Sequence, residues 1–194
     1  MMKIGYSVEG STDQALLKGL QLRWCRDAEL IEGRFRGSSG QSQRREIPNI
    51  CTELVSKGVD FIVFLRDSND EDWREVLKGD KGRCRDEHKH LAVFGVCARN
   101  VECWLCTDAD WLGSNIGKPP IDFRIPDPKR VFEAAMGISS FDRKKDEIAN
   151  LVLQAPLRSW LSNRSFEDFY NQLCQKSKER GCSIENLRER PKSK

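Results

Sequence analysis

Three acidic groups, each following a run of apolar residues, are the part of this chain best suited to chemistry. Glu9 closes the run in KIGYSVEGSTD (Lys3 to Asp13). Asp67, Asn69 and Asp70 close FIVFLRDSND (Phe61 to Asp70). Glu102 lies in LAVFGVCARNVECWLCTD (Leu91 to Asp108). In an open α/β sheet, ligands bind outside the carboxyl ends of the strands. Carboxylates gathered there repel one another unless a cation neutralises them, and oxygen donors select hard ions such as Mg²⁺, Mn²⁺ or Ca²⁺. The pattern therefore points to a divalent-metal site on an α/β scaffold, a setting suited to phosphate chemistry.

Each residue has a plainer use beside the chemical one. Glu9 precedes Gly10, whose missing side chain permits close approach of a phosphate; the carboxylate then serves as base or metal ligand, or is simply a turn glutamate. Asp67-Ser68-Asn69-Asp70 offers several oxygens on one tight loop, or an Asx-rich turn capping the next helix, and the two uses are compatible. Lys129 is the first choice for a contact to phosphate or to transition-state charge, with Lys144 and Lys145 next; any of them is otherwise a solvated lysine. Arg99, three residues before Glu102 on the same expected helical face, orients that carboxylate, meets phosphate, or forms a bidentate ion pair. His88 and His90, in a polar stretch, are either a general base or bystanders.

The elements that must position these groups follow from hydrophobic period. Lys3 to Val8 reads as a strand, and Ser11-Thr12-Asp13 supplies cap residues for a helix through ALLKGLQLRWC. Ala28 to Arg36 alternates as a second strand, and Gly37 to Ser42 reads as a flexible loop. A helix is expected over Arg44 to Lys57, with Pro48 in its first turn. Val59 to Leu65 and Leu91 to Cys97 are continuous apolar runs, expected as strands buried on both faces. Asp70 to Leu77 reads as helix, Gly79 to Lys89 as a mobile loop, and Asn100 to Leu112 as one helix. After a Pro-rich connection (Gly117 to Pro128), Asp127-Pro128 caps a helix over Lys129 to Met136. Lys144 to Ala155, Arg158 to Leu161 and Phe166 to Lys178 are further helices. The order argues for a mostly parallel, four-stranded α/β sheet flanked by helices, with a helical C-terminal extension. The expected boundaries are 1–115 for the core, 116–188 for the extension and 189–194 for a disordered tail.

The chain has 194 residues, 38% of them hydrophobic and 32% charged, with a net charge of only +3. Its mean hydropathy of −0.62 implies a core of ordinary size under a very polar surface. That mild charge does not by itself demand nucleic acid. The basic residues are nevertheless grouped: Arg34, Arg36, Arg44 and Arg45; Lys129, Arg130, Arg143, Lys144 and Lys145; and a tail from Lys176 to Lys194. Such patches beside an acidic site suit a phosphodiester backbone, or are solvated faces; Glu179, Glu185 and Glu189 favour the latter in the tail. No apolar run approaches the roughly 18 residues of a membrane-spanning helix, and no signal peptide is evident. The chain reads as cytoplasmic, so its eight cysteines are expected to be reduced. Cys97, Cys103 and Cys106 then act as small buried hydrophobes. A zinc site joining Cys103-x-x-Cys106 to Cys84, His88 or His90 is the sharper alternative.

VEGSTD, FLRDSND and RNVECWLCTD together resemble the TOPRIM fold of topoisomerases, primases and OLD-type nucleases. The resemblance covers roughly residues 3 to 110. ARNVECWLCTD is similar to the Arg-x-x-Glu-x-Trp-Leu-x-x-Asp segment of small stand-alone TOPRIM proteins, DPKRVFEAAMG to an Asp-Pro-Lys segment following it there, and NRSFEDFYNQL to their closing helix. In the family a glutamate after the first strand and an Asp-x-Asp motif after a later one hold Mg²⁺ for phosphoryl transfer. The resemblance thus implies Glu9 and Asp67 as metal ligands and catalytic groups, joined by Glu102. It places Asn69 where the second aspartate is expected, with Asp70 directly behind it. Asp13 matches an acidic position of nuclease-type members, or caps the first helix. Asp108 matches another acidic position, or is a cap.

What the resemblance implies is an Mg²⁺- or Mn²⁺-dependent nuclease acting on DNA or RNA. Lys129 would be catalytic, while Gly10, Asp13, Arg99, Lys144 and Lys145 would contact substrate. Small relatives of this kind are often partnered with ABC- or AAA-type ATPases in bacterial phage defence. A latent effector activated by such an ATPase is therefore the rival expectation, with Trp160, Phe166, Phe169 and Tyr170 as interface or as core. A third reading is a non-catalytic nucleotide- or RNA-binding domain, since Asn69 lowers the charge of the motif. A topoisomerase would need an active-site tyrosine and gating domains, yet only Tyr6 and Tyr170 exist. A membrane partner is not expected, and homo-oligomerisation stays open.

Overall fold

A computed structural model describes residues 1–37, 39–116, 127–137, 144–182 and 184–189. Along the described chain the elements are β1 (Lys3–Val8), α1 (Ser11–Trp24), β2 (Glu29–Glu32), α2 (Gly40–Ser56), β3 (Phe61–Asp67), α3 (Trp73–Arg83), α4 (Asp86–Lys89), β4 (Ala92–Cys97), α5 (Glu102–Leu105), α6 (Ala109–Asn115), α7 (Pro128–Met136), α8 (Lys145–Gln154), α9 (Leu157–Trp160) and α10 (Arg164–Glu179). The strands form one four-stranded, all-parallel sheet in the order β2-β1-β3-β4. The chain is thus a Rossmann-like α/β protein. From β1 it moves outward to β2 on one side, and from β3 to β4 on the other. The direction reverses between β1 and β3, and crevices in open α/β sheets form at such a switch point.

Alternation along the buried strands divides the core into two layers. Phe61, Val63 and Leu65 of β3 pack with Leu16, Leu20, Ile148, Val152, Phe166 and Phe169, from α1, α8 and α10. Ile62 and Phe64 face the other way, against Ile47, Ile50, Leu54, Val76 and Leu77 of α2 and α3. Gly95 lets α10 cross β4 closely, since a Cβ there would lie 2.8 Å from both Leu65 and the Phe169 ring. Trp160, Phe166, Phe169 and Tyr170 are buried in the chain's own core, with ring contacts such as Trp160 to Phe166 at 5.2 Å. The expectation that these aromatics form a partner's interface is therefore corrected.

Several expected elements differ, each for a local reason. α2 begins at Gly40 rather than Arg44, because Ser39 accepts from Ser42 N–H (3.3 Å) and starts the helix inside the expected loop. Pro48 consequently lies in the helix interior, not in its first turn. The stretch from Gly79 to Lys89 is not a loop: α3 runs to Arg83, and α4 adds a short turn. Its buried Asp80 binds arginines, so the inward face does not look apolar in the sequence. The helix expected over Asn100 to Leu112 is broken, because Asp108 accepts from Trp111 N–H (3.0 Å) and caps α6 as a new helix. The second strand is shorter than Ala28 to Arg36. The Pro-rich connection lies mostly outside the described residues, as do Arg143 and residues 190–194.

The cysteines need a larger correction. Cys25 and Cys182 form a disulfide across 157 residues of sequence, tying the end of α1 to the segment behind α10. Nothing in local spacing signals so distant a pair. Cys106 and Cys84 belong to cores on opposite faces of the sheet, which excludes the zinc combination that joined them. Among the described residues, no helix is long and apolar enough to cross a membrane.

Candidate metal centre

The site is built where β1, β3 and β4 end. Asp67 is the last residue of β3, and its register partner on β4 is Cys97. Both side chains project toward α1. The Asp67 carboxylate accepts from Val101 N–H (2.9 Å), which fixes it against the loop entering α5. Asp13 sits in the first turn of α1 and accepts from Gly10 N–H through Oδ2 (2.9 Å). It therefore caps the helix, as the plainer reading proposes, while its second oxygen is buried without a hydrogen-bond partner among the described residues. Asp13, Asp67 and Cys97 each offer one donor atom, and these atoms lie within 4.8 Å of one another.

The loops behind β3 and β4 are laced together. Ser68 N–H donates to Cys97 C=O (3.0 Å), Asn69 N–H to Arg99 C=O (2.7 Å), and Arg99 N–H to Ser68 Oγ (2.9 Å). Asn69 and Arg99 both adopt left-handed backbone, at φ 53° and 71°. Left-handed conformations are uncommon for residues other than glycine and concentrate at functional loops. This turn brings Glu102 back beside Asp67.

The electrostatics are those of carboxyls crowded together in a buried setting. Asp13 is 4% exposed and Glu102 only 2%. One oxygen each of Glu9, Asp13 and Glu102 is buried without a hydrogen-bond partner among the described residues. Burial pushes the Asp67 carboxyl up to about 7, with further upward pressure from Glu102 and Glu9. Burial, followed by the charges of Asp67 and Glu102, raises Asp13 well above the usual carboxylate range. Glu102 is raised chiefly by burial, with its own N–H and Lys129 acting against the shift. Cys97 is pushed far up by burial and then by Asp67 and Asp13. Lys129 is exposed at the rim on α7, and its positive charge lowers both Asp67 and Glu102.

Not every expected site residue joins this cluster. Asn69 and Asp70 are exposed on the turn, and neither appears among the main influences on the buried carboxyls. Gly10 is exposed as the α1 N-cap. Arg99 is exposed ahead of α5, so it shares no helical face with Glu102. Lys145 donates to Gln14 Oε1 (3.1 Å), one residue from Asp13. Lys144 is turned to Glu147 (3.2 Å) and to Met136 C=O (2.8 Å), bridging α7 and α8 instead. His88 and His90 precede β4, at the opposite end of the sheet, which removes them as bases for this site. The member missed by sequence reasoning is Cys97; its signal was register with Asp67, hidden by its apolar neighbours.

Fold and site together define a Rossmann-like α/β protein with a cluster of buried carboxyls at its topological switch point. No family model, curated protein or solved structure matches the chain.

Proposed function

We propose that this chain is a divalent-metal-dependent nuclease of the TOPRIM type, with its centre at Glu9, Asp13, Asp67 and Glu102. The observation that carries the reading is the set of buried carboxylate oxygens without partners, converging where the sheet's direction reverses. Buried like charges are costly unless protonated or bound to a cation. The donor set fits a divalent ion, since oxygens of Asp13 on α1 and Asp67 on β3 lie within 4.8 Å of each other and the charge of Glu102 acts on both residues. Asp67, Asp13 and Glu102 would hold it. When bound, the ion supplies Lewis-acid polarisation of a phosphate oxygen and neutralises the pocket.

The chain's own residues supply the rest. Glu9, half-buried with one unpartnered oxygen, is placed to take a proton from the attacking water. The water oxygen bonds to phosphorus, the bond from phosphorus to the leaving ester oxygen breaks, and that oxygen is protonated from solvent. Lys129, exposed at the rim and electrostatically coupled to Asp67 and Glu102, meets the negative charge that builds on the phosphate. Gly10 leaves the mouth open for a phosphodiester.

The test is cleavage of plasmid, single-stranded DNA and total tRNA with Mg²⁺ or Mn²⁺, run beside EDTA and the Glu9→Gln and Asp67→Asn variants. Cleavage should fall by roughly 10³-fold or more in each control, the scale expected when a central catalytic group is lost. Full activity in both variants would sink the assignment. Silence of the isolated wild-type chain would favour an effector that works only with its ATPase partner.

A further inference from the structure

We infer that Cys97 is a ligand of this centre, and that the centre therefore takes a borderline first-row ion such as Zn²⁺, Co²⁺ or Fe²⁺ in preference to Mg²⁺. The inference rests on the reading of the pocket as a divalent-metal site. It departs from an oxygen-only centre, which would favour hard ions.

Position and surroundings carry it. Cys97 is fully buried, but its sulfur is not simply wrapped in hydrocarbon. Backbone pairing sets it directly across from Asp67, on the same face of the sheet. Its Sγ and the nearest oxygens of Asp13 and Asp67 lie within 4.8 Å of one another. A tetrahedral ion with bonds of about 2.0–2.3 Å holds its ligands within roughly 4 Å of each other. That spacing is tighter than the present one, so the three side chains must draw together for an ion to be bound. Beside the sulfur, one oxygen of Asp13 and one of Glu102 are buried without a hydrogen-bond partner among the described residues. Among the described residues, no hydrogen-bond partner reaches the Cys97 sulfur, so binding an ion breaks no existing bond. By contrast, Cys103 Sγ donates to Asn100 Oδ1 (3.4 Å) and is already engaged.

Binding is a ligand exchange with no change of oxidation state. The S–H proton leaves to solvent, the sulfur lone pair forms the metal–sulfur bond, and an aquo ligand departs. The thiolate narrows the choice of ion, because soft donors favour Zn²⁺ and its neighbours over Mg²⁺.

Cobalt(II) reports both parts of the idea without any activity assay. The full-length chain, stripped with chelator and kept anaerobic, is titrated with CoCl₂. Saturable visible ligand-field bands report binding at the centre, and a near-ultraviolet sulfur-to-cobalt charge-transfer band reports the thiolate. Wild type and Cys103→Ser should show both; Cys97→Ser should keep the visible bands and lose the charge-transfer band. Zn²⁺ should displace cobalt roughly tenfold or more better than Mg²⁺ in wild type, and the preference should shrink in Cys97→Ser. Visible bands without charge transfer in wild type, or a charge-transfer band surviving in Cys97→Ser, would overturn the thiolate ligand and leave the carboxylate centre standing. No saturable cobalt binding would remove the centre itself and the proposal with it. If Cys97→Ser does not fold by circular dichroism, the wild-type spectrum with Cys103→Ser and Cys106→Ser decides: both must keep the charge-transfer band, and loss in either assigns the sulfur elsewhere.

Discussion

Arg66 and Asp67 are adjacent on β3, project to opposite faces of the sheet, and handle buried charge in opposite ways. Behind the sheet, Arg66 is 3% exposed and lies 3.5 Å from Asp80, which is equally buried and also lies 3.5 Å from Arg44. Arg66 further donates to Gly40 C=O (2.9 Å) and Asp67 C=O (3.2 Å). Gly40 must be glycine for this approach, since a Cβ would sit 2.5 Å from the guanidinium. In front of the sheet, Asp67 meets Glu9, Asp13 and Glu102, with Lys129 opposing them at the rim. In one cluster a carboxylate faces two guanidinium groups, although Asp80 Oδ1 and Arg44 Nε make no hydrogen bond among the described residues; in the other, carboxyls face one another. Opposite charges within reach make a buried cluster part of the architecture, whereas like charges brought together favour protonation or a bound cation.

The largest expected effect comes from breaking the balanced cluster. Arg66→Met keeps much of the side-chain bulk, but it leaves the Gly40 carbonyl without this donor and leaves Asp80 to Arg44 alone. Breaking a buried ion pair from one side costs roughly 3–5 kcal/mol. Urea unfolding should show a loss of that size, with or without divalent metal. A loss under roughly 1 kcal/mol would mean that the two faces are not energetically distinct. Because Arg66 also holds the main chain of Asp67, metal affinity in the surviving folded protein should weaken as well.

Asp67→Asn sharpens the comparison with the opposite sign. Asparagine keeps an oxygen for Val101 N–H while removing one charge from a repelling group. The metal-free variant should be more stable than wild type by roughly 1–3 kcal/mol at alkaline pH, the order implied by a carboxyl raised to about 7. Stabilisation by Mn²⁺ or Zn²⁺ should be lost in the same variant. A variant that is destabilised yet still stabilised by metal would show Asp67 to be an architectural cap and not a ligand.

The contrast also explains what could be read from the sequence. Strands β1, β3 and β4, the helix behind Ser11 and the cap at Asp127 were legible, because burial on both faces and capping leave local patterns. Glu9 and Asp67 were legible as strand-end acids, and Glu102, which opens α5, as an acid after a strand. Asp80 was not, because a carboxylate that faces inward to meet arginines looks like a surface residue, and the half of α3 that carries it read as a loop. Cys97 was not, because its chemistry comes from a register partner 30 positions away. The bridge between Cys25 and Cys182 and the exposure of Asn69 and Asp70 depend on tertiary placement in the same way. Local pattern reports which residues are buried and where segments end; it does not report which buried groups meet.

The smallest effect is a pH dependence that should separate the two clusters. Asp67 has its folded pKa raised to about 7, above the ordinary carboxylate value, so the folded metal-free chain holds that proton more tightly than the unfolded chain. Its contribution favours folding at low pH and is lost as pH rises from about 4 to 7, where the carboxylate ionises among like charges. A cation has the reverse preference, because it must displace the proton below pH 7 and need not above it. Apparent metal affinity should therefore rise by at least about tenfold per pH unit up to roughly pH 7, or at least about 1.4 kcal/mol of added stabilisation per unit at fixed metal, and the raised Asp13 steepens that rise. A thiolate from Cys97 adds a further displaced proton and would carry the rise further. Asp80, which burial pushes up to about 6 against its two guanidinium neighbours, changes stability over a lower window and should not respond to metal. Thermal unfolding from about pH 5 to 9, with and without Zn²⁺, reads both at once. A metal-induced shift in Tm that is flat across this range would mean that no proton leaves the pocket when the ion enters, and the two buried clusters would then be alike after all.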